Sequence, residues 1–310
     1  MAIVKTDVPI TAASCDQMIQ QITRTFPFCR SELLSTTGFQ RPIRTLVIGN
    51  GPRRVIYSAS HHANEWITSL VLLKFAEELA MAISENGRIG GVGGRTIANA
   101  ATIYMIPMVD PDGVDLVVGA IQPGQIQYEI ARRLAENYPD IPFPNGWKAN
   151  LLGVDLNLQY PAGWLQAREI KFSQGFTRPG PRDYVGRAPL GQIESRALAG
   201  YTEVIDPELV LAYHSQGQVI YWQFQDYVVP GARELGEEFA RVSGYELEQV
   251  PFASSFAGYK DWFIQKFRRP GYTIEVGEGE NPLPLEQFDQ IYRNNLGILT
   301  TAALGLEETE

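Results

Sequence analysis

Residues 55–68 read Val-Ile-Tyr-Ser-Ala-Ser-His-His-Ala-Asn-Glu-Trp-Ile-Thr, and this stretch decides how the fold is interpreted. Its first part, Val55–Ser60, is mostly apolar or small and predicts a short buried strand. An apolar-periodic segment, Ile67–Ser84, follows and predicts a long helix that ends before Gly87. His62 and Glu65 therefore fall where a strand ends and a helix is about to begin.

The rest of the chain alternates between apolar runs and helical patterns. Ala101–Val109, Leu209–Tyr213 and Tyr272–Val276 predict buried strands. Arg44–Gly49 predicts a strand that forms a hairpin with Val55–Ser60, because the turn signal Asn50-Gly51-Pro52 separates them. Helices are predicted at Gln17–Thr25, Gln125–Asn137, Gln192–Ile205, Ala232–Ser243, Tyr259–Lys266 and Leu285–Leu304. The pattern predicts an α/β fold with a mixed sheet covered on both faces.

The sequence contains no internal repeat and no linker long enough to divide domains, so one domain over residues 1–310 is expected. The segments Pro139–Trp147 and Leu165–Pro189 are rich in Pro, Gly and Arg, and we interpret them as ordered loops that build a binding site. The glycine-rich Asn86–Gly94 follows a helix rather than a strand, which favours a surface loop over a phosphate-binding loop.

Composition excludes several classes of partner. The net charge is −9 and no continuous basic stretch occurs, which disfavours nucleic acid. No apolar run approaches the roughly 20 residues that span a bilayer, so no membrane partner is expected. The N-terminal residues lack a charged start followed by an apolar stretch, and a cytoplasmic location is expected. Cys15 and Cys29 are interpreted as free thiols, and the oligomeric state is left open.

The histidines indicate a metal site. The chain has only three, and His214 stands at the end of the predicted strand Leu209–Tyr213. His62 and Glu65 form an H-x-x-E pair, which alone is weak evidence because it also suits a polar helix start. Joined to a strand-end histidine, the pair matches the two-His, one-Glu set of a catalytic zinc with an open position for water. We predict one zinc per chain and interpret His61 as a neighbour of the site.

A zinc hydrolase also needs a carboxylate that is not a ligand and that can accept the proton of the attacking water. Glu275 lies inside the otherwise apolar strand Tyr272–Val276. Burying a carboxylate without a partner is costly, so a position in a cleft beside the metal explains it better than a core position. We predict that Glu275 is the general base.

These residues resemble the motifs of the zinc carboxypeptidase family. His62–Thr68 is similar to its first zinc motif, and Pro107–Gly113 to its Asn-Pro-Asp-Gly turn with Asp110 in place of Asn. Three further motifs follow in order: Gly153-Val154-Asp155-Leu156-Asn157, His214-Ser215 and Thr273-Ile274-Glu275. The resemblance implies a single carboxypeptidase-like domain with a mixed eight-stranded sheet, zinc bound by His62, Glu65 and His214, and Glu275 as the base.

Departures from the family pattern indicate the substrate. Leu158 stands where members that trim protein C-termini have an arginine for the terminal carboxylate. Lys148 replaces an arginine that steadies the oxyanion, and we predict that role for it, although lysine lacks the fork geometry. Lys260 falls at the position that sets pocket chemistry and predicts a pocket for a carboxylate, although a solvated helix lysine is the plainer alternative.

The same stretches are similar to the bacterial subgroup that cleaves the γ-D-glutamyl–diamino acid bond of peptidoglycan stem peptides. By that resemblance the candidate substrate-binding residues are Trp147, Asn157, Tyr259 and Lys260. Arg178, Arg182 and Arg187, in the loop before Pro189, are weaker candidates. The resemblance implies a peptidase that acts on peptidoglycan-derived peptides. An ordinary metallocarboxypeptidase and a non-catalytic muropeptide-binding protein remain as alternatives.

Overall fold

The computed structural model describes residues 2–306. The strands are β1 (Arg30–Thr36), β2 (Pro42–Ile48), β3 (Arg53–Ala59), β4 (Arg88–Ile89), β5 (Val92–Gly93), β6 (Ala101–Ile106), β7 (Leu209–Ser215), β8 (Val219–Tyr221), β9 (Glu246–Glu248) and β10 (Gly271–Val276). The helices are α1 (Ala12–Thr25), α2 (Ile67–Glu85), α3 (Gly94–Ala100), α4 (Pro111–Val117), α5 (Ile126–Ala135), α6 (Trp164–Ser173), α7 (Ile193–Ile205), α8 (Ala232–Ser243), α9 (Tyr259–Phe267) and α10 (Phe288–Leu304). None of these helices combines the length and apolar composition needed to cross a membrane.

Eight strands form one mixed sheet in the order β1-β2-β6-β3-β7-β10-β8-β9. The four central strands β6, β3, β7 and β10 run parallel. β2 pairs antiparallel with β1 and β6, whereas β8 pairs antiparallel with β10 and parallel with β9. The predicted α/β fold with a mixed eight-stranded sheet is therefore confirmed. β4 and β5 form a separate small hairpin within the glycine-rich segment.

Helices cover both faces of the sheet, as the alternation of β3 shows. Val55, Tyr57 and Ala59 point into a core formed with α1, α2 and α10, whereas Ile56 points into a second core formed with α7 and α9. All four side chains are fully buried. A strand that is apolar on both faces is typical of the centre of a sheet with two helical layers.

The predicted hairpin between β2 and β3 is wrong, because β6 lies between them in the sheet. The turn signal is real but serves another contact: the backbone N–H groups of Asn50 and Gly51 donate to Ala98 O at 3.0 and 3.1 Å. Gly49 has φ +91°, and a Cβ there would lie 2.1 Å from Ala101 O. Glycine therefore lets this connection pass directly over the start of β6.

Other differences lie in segments without a strong apolar period. Part of the segment interpreted as the loop Leu165–Pro189 forms α6, whose exposed side chains give it little periodicity. β1, an edge strand in which every residue is at least partly exposed, is also absent from the predicted strands. Neither difference changes the centre of the sheet.

The sheet places the candidate metal ligands and base at one edge. In the parallel pairs, Ala59 of β3 lies opposite Tyr213 of β7, and Glu275 of β10 lies opposite His214. His62 follows β3 by a few residues. Because the carboxyl ends of adjacent parallel strands meet at the same edge, residues far apart in sequence come together there.

Candidate metal centre

Three side chains converge at this edge, which we call the metal cluster: His62, Glu65 and His214. Their candidate ligand atoms all lie within 4.8 Å of one another. Glu65 Oε1 is 2.9 Å from His62 Nδ1, Glu65 Oε2 is 2.9 Å from His214 Nδ1, and the two Nδ1 atoms are 3.1 Å apart. All three residues are buried. The structure thus brings together the three predicted ligands.

The donor set and its spacing fit zinc. Two imidazole nitrogens and a carboxylate oxygen are the ligands of many catalytic zinc sites, and tetrahedral coordination at about 2.0–2.1 Å spaces ligand atoms roughly 3.3 Å apart. The observed separations of 2.9–3.1 Å are close to that spacing. The two histidine nitrogens face each other and contact the same carboxylate. A bound cation would stabilise this arrangement.

Asp155 supports the metal cluster from outside. Its Oδ1 lies 3.2 Å from His62 Nε2 and also accepts a hydrogen bond from Asn157 N at 3.1 Å. A carboxylate on the far nitrogen favours the tautomer in which His62 Nδ1 is free to bind a metal. Burial alone would raise the pKa of Asp155, but His62 and Lys148 hold it below its ordinary value.

His61 and the far side of His214 complete the surroundings. His61 is fully buried, its ring lies 5.5 Å from that of His214, and its Nε2 is 3.2 Å from Tyr160 Oη. This agrees with its interpretation as a neighbour of the site. Among the described residues, His214 Nε2 has no hydrogen-bond partner. The nitrogen of His214 that has partners is the one turned towards Glu65 and His62.

Lys148 brings a cation to the metal cluster. Its Nζ lies 3.3 Å from Glu65 Oε1, and its backbone carbonyl accepts a hydrogen bond from Ala63 N at 3.0 Å. Although burial opposes its charge, Glu65 and Asp155 raise the pKa of Lys148, so the ammonium form is favoured. Glu65 in turn stays ionised despite its burial, because His62 and Lys148 hold its pKa well below the ordinary value.

Glu275 lies beside the metal cluster without belonging to it. It is half-buried in β10, and its side chain lines both of the cavities that open next to the cluster. Partial removal from water and the charge of Glu65 raise the pKa of Glu275 to about 8. A carboxylate beside a candidate metal site that retains affinity for a proton has the properties of a general base.

Two cavities meet at this point. Cavity A, of about 300 Å³, includes His62, Asp155, Asn157, Leu158, Lys171, Asp183, Lys260 and Asp261 in its wall. Cavity B, of about 760 Å³, includes Asn64, Asp140, Asn145, Ser215, Gln216, Glu280 and Asn281. Four residues line both cavities: Lys148, Arg182, Tyr221 and Glu275. An extended ligand that crossed this junction would fill a cavity on each side of Glu275.

Lys260 lines cavity A, so its predicted role in substrate binding stays a prediction, but its charge is paired within the protein. Lys260 is buried, and its Nζ donates to Gln223 O at 2.7 Å and to the carboxylate of Asp261. Both residues of this ion pair line cavity A. The Lys260–Asp261 pair is therefore neutral overall and offers cavity A both a donor and an acceptor. The pairing is expected because a lone buried ammonium would be too costly.

Two candidate substrate-binding residues, Trp147 and Tyr259, are placed in the core and line neither cavity. Trp147 is fully buried and donates from Nε1 to Asn150 O at 3.2 Å. Tyr259 is fully buried, and its hydroxyl is 2.8 Å from Thr202 Oγ1. This placement argues against the predicted substrate contact for both residues, because each already uses a side-chain polar atom in a hydrogen bond within the core.

Asn157 and Leu158 both line cavity A. Asn157 Oδ1 accepts a hydrogen bond from Tyr259 N at 3.0 Å, an arrangement that turns its amide nitrogen away from that bond. Leu158 is buried and packs with Val185 and Ala257. The wall position that a carboxylate-binding arginine would need is therefore apolar in this chain.

Sequence reasoning assigned no role to Asp155 and did not single out Asp183. Asp155 stands in the quoted Gly-Val-Asp-Leu-Asn motif, so the motif carried a signal for it. Asp183 carried no signal, since its placement depends on the path of the loop after α6. Of the three loop arginines, Arg182 lines the cavities, whereas Arg178 and Arg187 line neither.

Comparison with known proteins agrees with this geometry. The sequence profile of the family described as zinc carboxypeptidase matches residues 15–297. The chain is 43% identical over 280 residues to a protein of Lysinibacillus sphaericus named gamma-D-glutamyl-L-diamino acid endopeptidase 1, covering 90% of this chain and 68% of that protein.

Solved structures share the fold at low sequence identity. Carboxypeptidase A from Helicoverpa armigera superposes with a TM-score of 0.72 at 16% identity, covering 98% of this chain and 76% of that chain. Murein-tripeptide amidase from Escherichia coli O157 superposes with a TM-score of 0.54 at 17% identity, covering 90% of this chain and 93% of that chain. These likenesses establish the carboxypeptidase-like fold.

Proposed function

The chain belongs to the zinc carboxypeptidase family and is a metallopeptidase, and from that premise we propose that it hydrolyses the γ-D-glutamyl–diamino acid bond of peptidoglycan stem peptides. The observation that carries the proposal is the 43% identity, over 90% of the chain, to a protein named for that bond. The apolar Leu158 in cavity A adds support, because anchoring of an ordinary C-terminal carboxylate lacks its arginine.

His62, Glu65 and His214 would hold one zinc ion. When bound, zinc supplies Lewis-acid polarisation of the scissile carbonyl and lowers the pKa of a water molecule towards about 7. Asp155 keeps His62 oriented through the 3.2 Å contact to its Nε2. These four residues prepare the site before substrate arrives, since each is buried and already in contact with another member.

Glu275 and Lys148 would carry out the proton and charge steps. Glu275 takes a proton from the attacking water at a carboxylate oxygen and later gives it to the leaving amine. Lys148 has its ammonium group close to Glu65 and lines both cavities, so it can stabilise negative charge that develops on the carbonyl oxygen. Asn157 and the Lys260–Asp261 pair contact the leaving part of the substrate from the wall of cavity A.

A substrate panel tests the proposal. The zinc-loaded protein is incubated with γ-D-Glu–diaminopimelate tri- and tetrapeptides, with their α-linked isomers, and with ordinary peptides that have free or blocked C-termini. Mass spectrometry identifies the bond that is cut. We expect cleavage of the γ-D-glutamyl bond, and a Glu275→Gln preparation made in parallel shows that this chain is responsible.

Two results would contradict the proposal. Faster release of a free C-terminal residue from an ordinary α-peptide would identify a metallocarboxypeptidase of the usual kind. Tight binding of stem peptides without turnover, with less than about one zinc per chain after zinc loading, would identify a binding protein, since catalytic zinc is held by three protein ligands.

A cytoplasmic site of action and a single domain over residues 1–310 stay predictions from the sequence.

A further inference from the structure

Arg182 occupies the junction of the two cavities and has no counterpart in the mechanism above. It is one of the four residues that line both cavities, together with Lys148, Tyr221 and Glu275. It comes from the loop that follows α6 rather than from a strand end. A cation at this point lies beside the place where the scissile bond must sit.

The backbone around Arg182 is fixed to the metal centre on both sides. Pro181 O accepts hydrogen bonds from Lys148 N and Ala149 N at 2.7 and 2.9 Å. Asp183 N donates to Asp155 Oδ2 at 3.3 Å, so the next residue is tied to the carboxylate that also contacts His62. These hydrogen bonds fix the backbone of Arg182 relative to Lys148 and Asp155, although the residue belongs to a loop.

One nitrogen of the Arg182 guanidinium is hydrogen-bonded within the protein, and the other two are available to a ligand. Arg182 Nε donates to Asp183 Oδ2 at 2.6 Å, and within residues 2–306 its side chain makes no other hydrogen bond. Asp183 Oδ1 also pairs with Lys171 Nζ at 2.6 Å, so one carboxylate faces two cations and the group keeps a net positive charge. The two terminal nitrogens of the guanidinium are left to bind a planar anion in bidentate geometry.

We propose that Arg182 is a specificity-determining residue that binds the free α-carboxylate of the γ-linked glutamyl residue. This rests on the proposed function. A γ-linkage uses the side-chain carbonyl, so the α-carboxylate remains free a short methylene chain away from the scissile bond. In a substrate cut within a longer peptide, the α-carboxylate of the leaving residue is an amide, so the glutamyl carboxylate is the anion that remains at the junction.

The test compares two substrates that differ at one group. The first is a stem peptide with the free glutamyl α-carboxylate, and the second carries the carboxamide at that position. We expect the wild type to prefer the carboxylate, and Arg182→Gln to lower kcat/KM for it by about 10–100-fold, mainly through KM. The carboxamide substrate should change by less than about threefold. Arg187→Gln, an exposed arginine of the same loop, is the matched control and should change neither.

Each other result has a defined meaning. A wild type that cleaves neither peptide contradicts the proposed function itself. Equal loss on both substrates, or a wild type without preference for the carboxylate, overturns the role of Arg182 while leaving the peptidase intact. A loss confined to tripeptides with a free C-terminus would assign Arg182 to the leaving residue instead. Arg182→Lys, which keeps the charge without the fork, should give an intermediate preference and serves if the glutamine variant folds poorly.

Discussion

Buried carboxyl groups in two regions of this protein have pKa values that are shifted in opposite directions. In the metal cluster, Glu65 faces His62, His214 and Lys148, which hold its pKa well below the ordinary value. The other group, the carboxyl pair Asp110 and Glu194, has no cation in hydrogen-bond contact, and burial raises the pKa of both residues. The depth of burial is similar, so the partners decide the charge.

The carboxyl pair differs from the metal cluster in that its hydrogen-bond partners are uncharged. Asp110 Oδ1 caps α4 by accepting from Gly113 N at 3.0 Å, whereas its Oδ2 has no partner among the described residues. Glu194 accepts from Asn150 Nδ2 at 3.3 Å. Neutral donors satisfy part of each group but do not neutralise a charge. A buried carboxyl group therefore has a lowered pKa where cationic groups contact it, as at Glu65, and a raised pKa where its partners are neutral.

The sharpest way to break the comparison is to remove the charge of Glu65. Glu65→Gln keeps the size of the side chain but removes an anionic ligand that faces both histidines. We expect zinc affinity to fall by more than the roughly 10–100-fold that loss of an outer partner costs, and hydrolysis to disappear with it. Competition with a chelator measures the affinity. The exposed Glu278→Gln should bind zinc like the wild type, and equal affinity in both variants would remove Glu65 from the ligand set.

Glu275 shares a feature with each region: it lies beside the metal cluster, but its pKa is raised, to about 8, like those of the carboxyl pair. Glu275→Gln should lower kcat by about 10²–10⁴-fold, the usual contribution of a general base. Zinc content should stay at the wild-type value, because Glu275 is not in the ligand set, and thermal stability at pH 7 should not fall, because the raised pKa of Glu275 means that its ionisation costs the folded protein stability. Steady-state kinetics with parallel metal analysis checks both statements. Near-normal turnover in the glutamine variant would assign the proton transfer to another group.

Asp155 tests whether an outer carboxylate matters as much as its contacts indicate. Asp155→Asn preserves the shape but weakens the 3.2 Å contact to His62 Nε2. We expect zinc affinity to fall by about 10–100-fold, less than for Glu65→Gln. Zinc titration by calorimetry gives the value. An affinity equal to that of the wild type would show that His62 is oriented by packing alone.

Asp110 gives the smallest and most specific effect, on stability. Its pKa in the folded protein is raised, so as pH rises above about 4 the unfolded chain releases a proton that the folded protein keeps. Stability is therefore lost with rising pH until the folded pKa is passed. Asp110→Asn removes this loss and should melt a few degrees above the wild type at pH 7, with little difference near pH 4.

Differential scanning calorimetry at the two pH values measures the Asp110 effect, and the wild type analysed at each pH cancels changes in metal binding. Asp226→Asn alters an exposed carboxylate and should leave both melting temperatures unchanged. A variant that is destabilised by the same amount at pH 4 and pH 7 would show that Asp110 is ionised in the folded protein.

Local patterns in the sequence carried much of the fold and the chemistry. Apolar runs at the central strands predicted the sheet, because a strand buried on both faces needs apolar residues in continuous order. His62, Glu65, His214 and Glu275 were predicted because their types match zinc chemistry and each falls at or near the end of such a strand. The weak periodicity of α6 and of the edge strand β1 left both out of reach.

The tertiary structure decided everything that depends on a partner distant in sequence. The insertion of β6 between β2 and β3 depends on backbone pairing of β6 with both strands, and glycine at 49 and 51 leaves room for the chain to pass close to residues 100 and 101. The pairing of Lys260 depends on Gln223 O as well as on the adjacent Asp261, and the position of Arg182 depends on backbone bonds to Lys148 and Asp155. The type of a residue determines which charge it can carry. Whether the group is ionised, and where its side chain is placed, depend on neighbours that only the folded chain supplies.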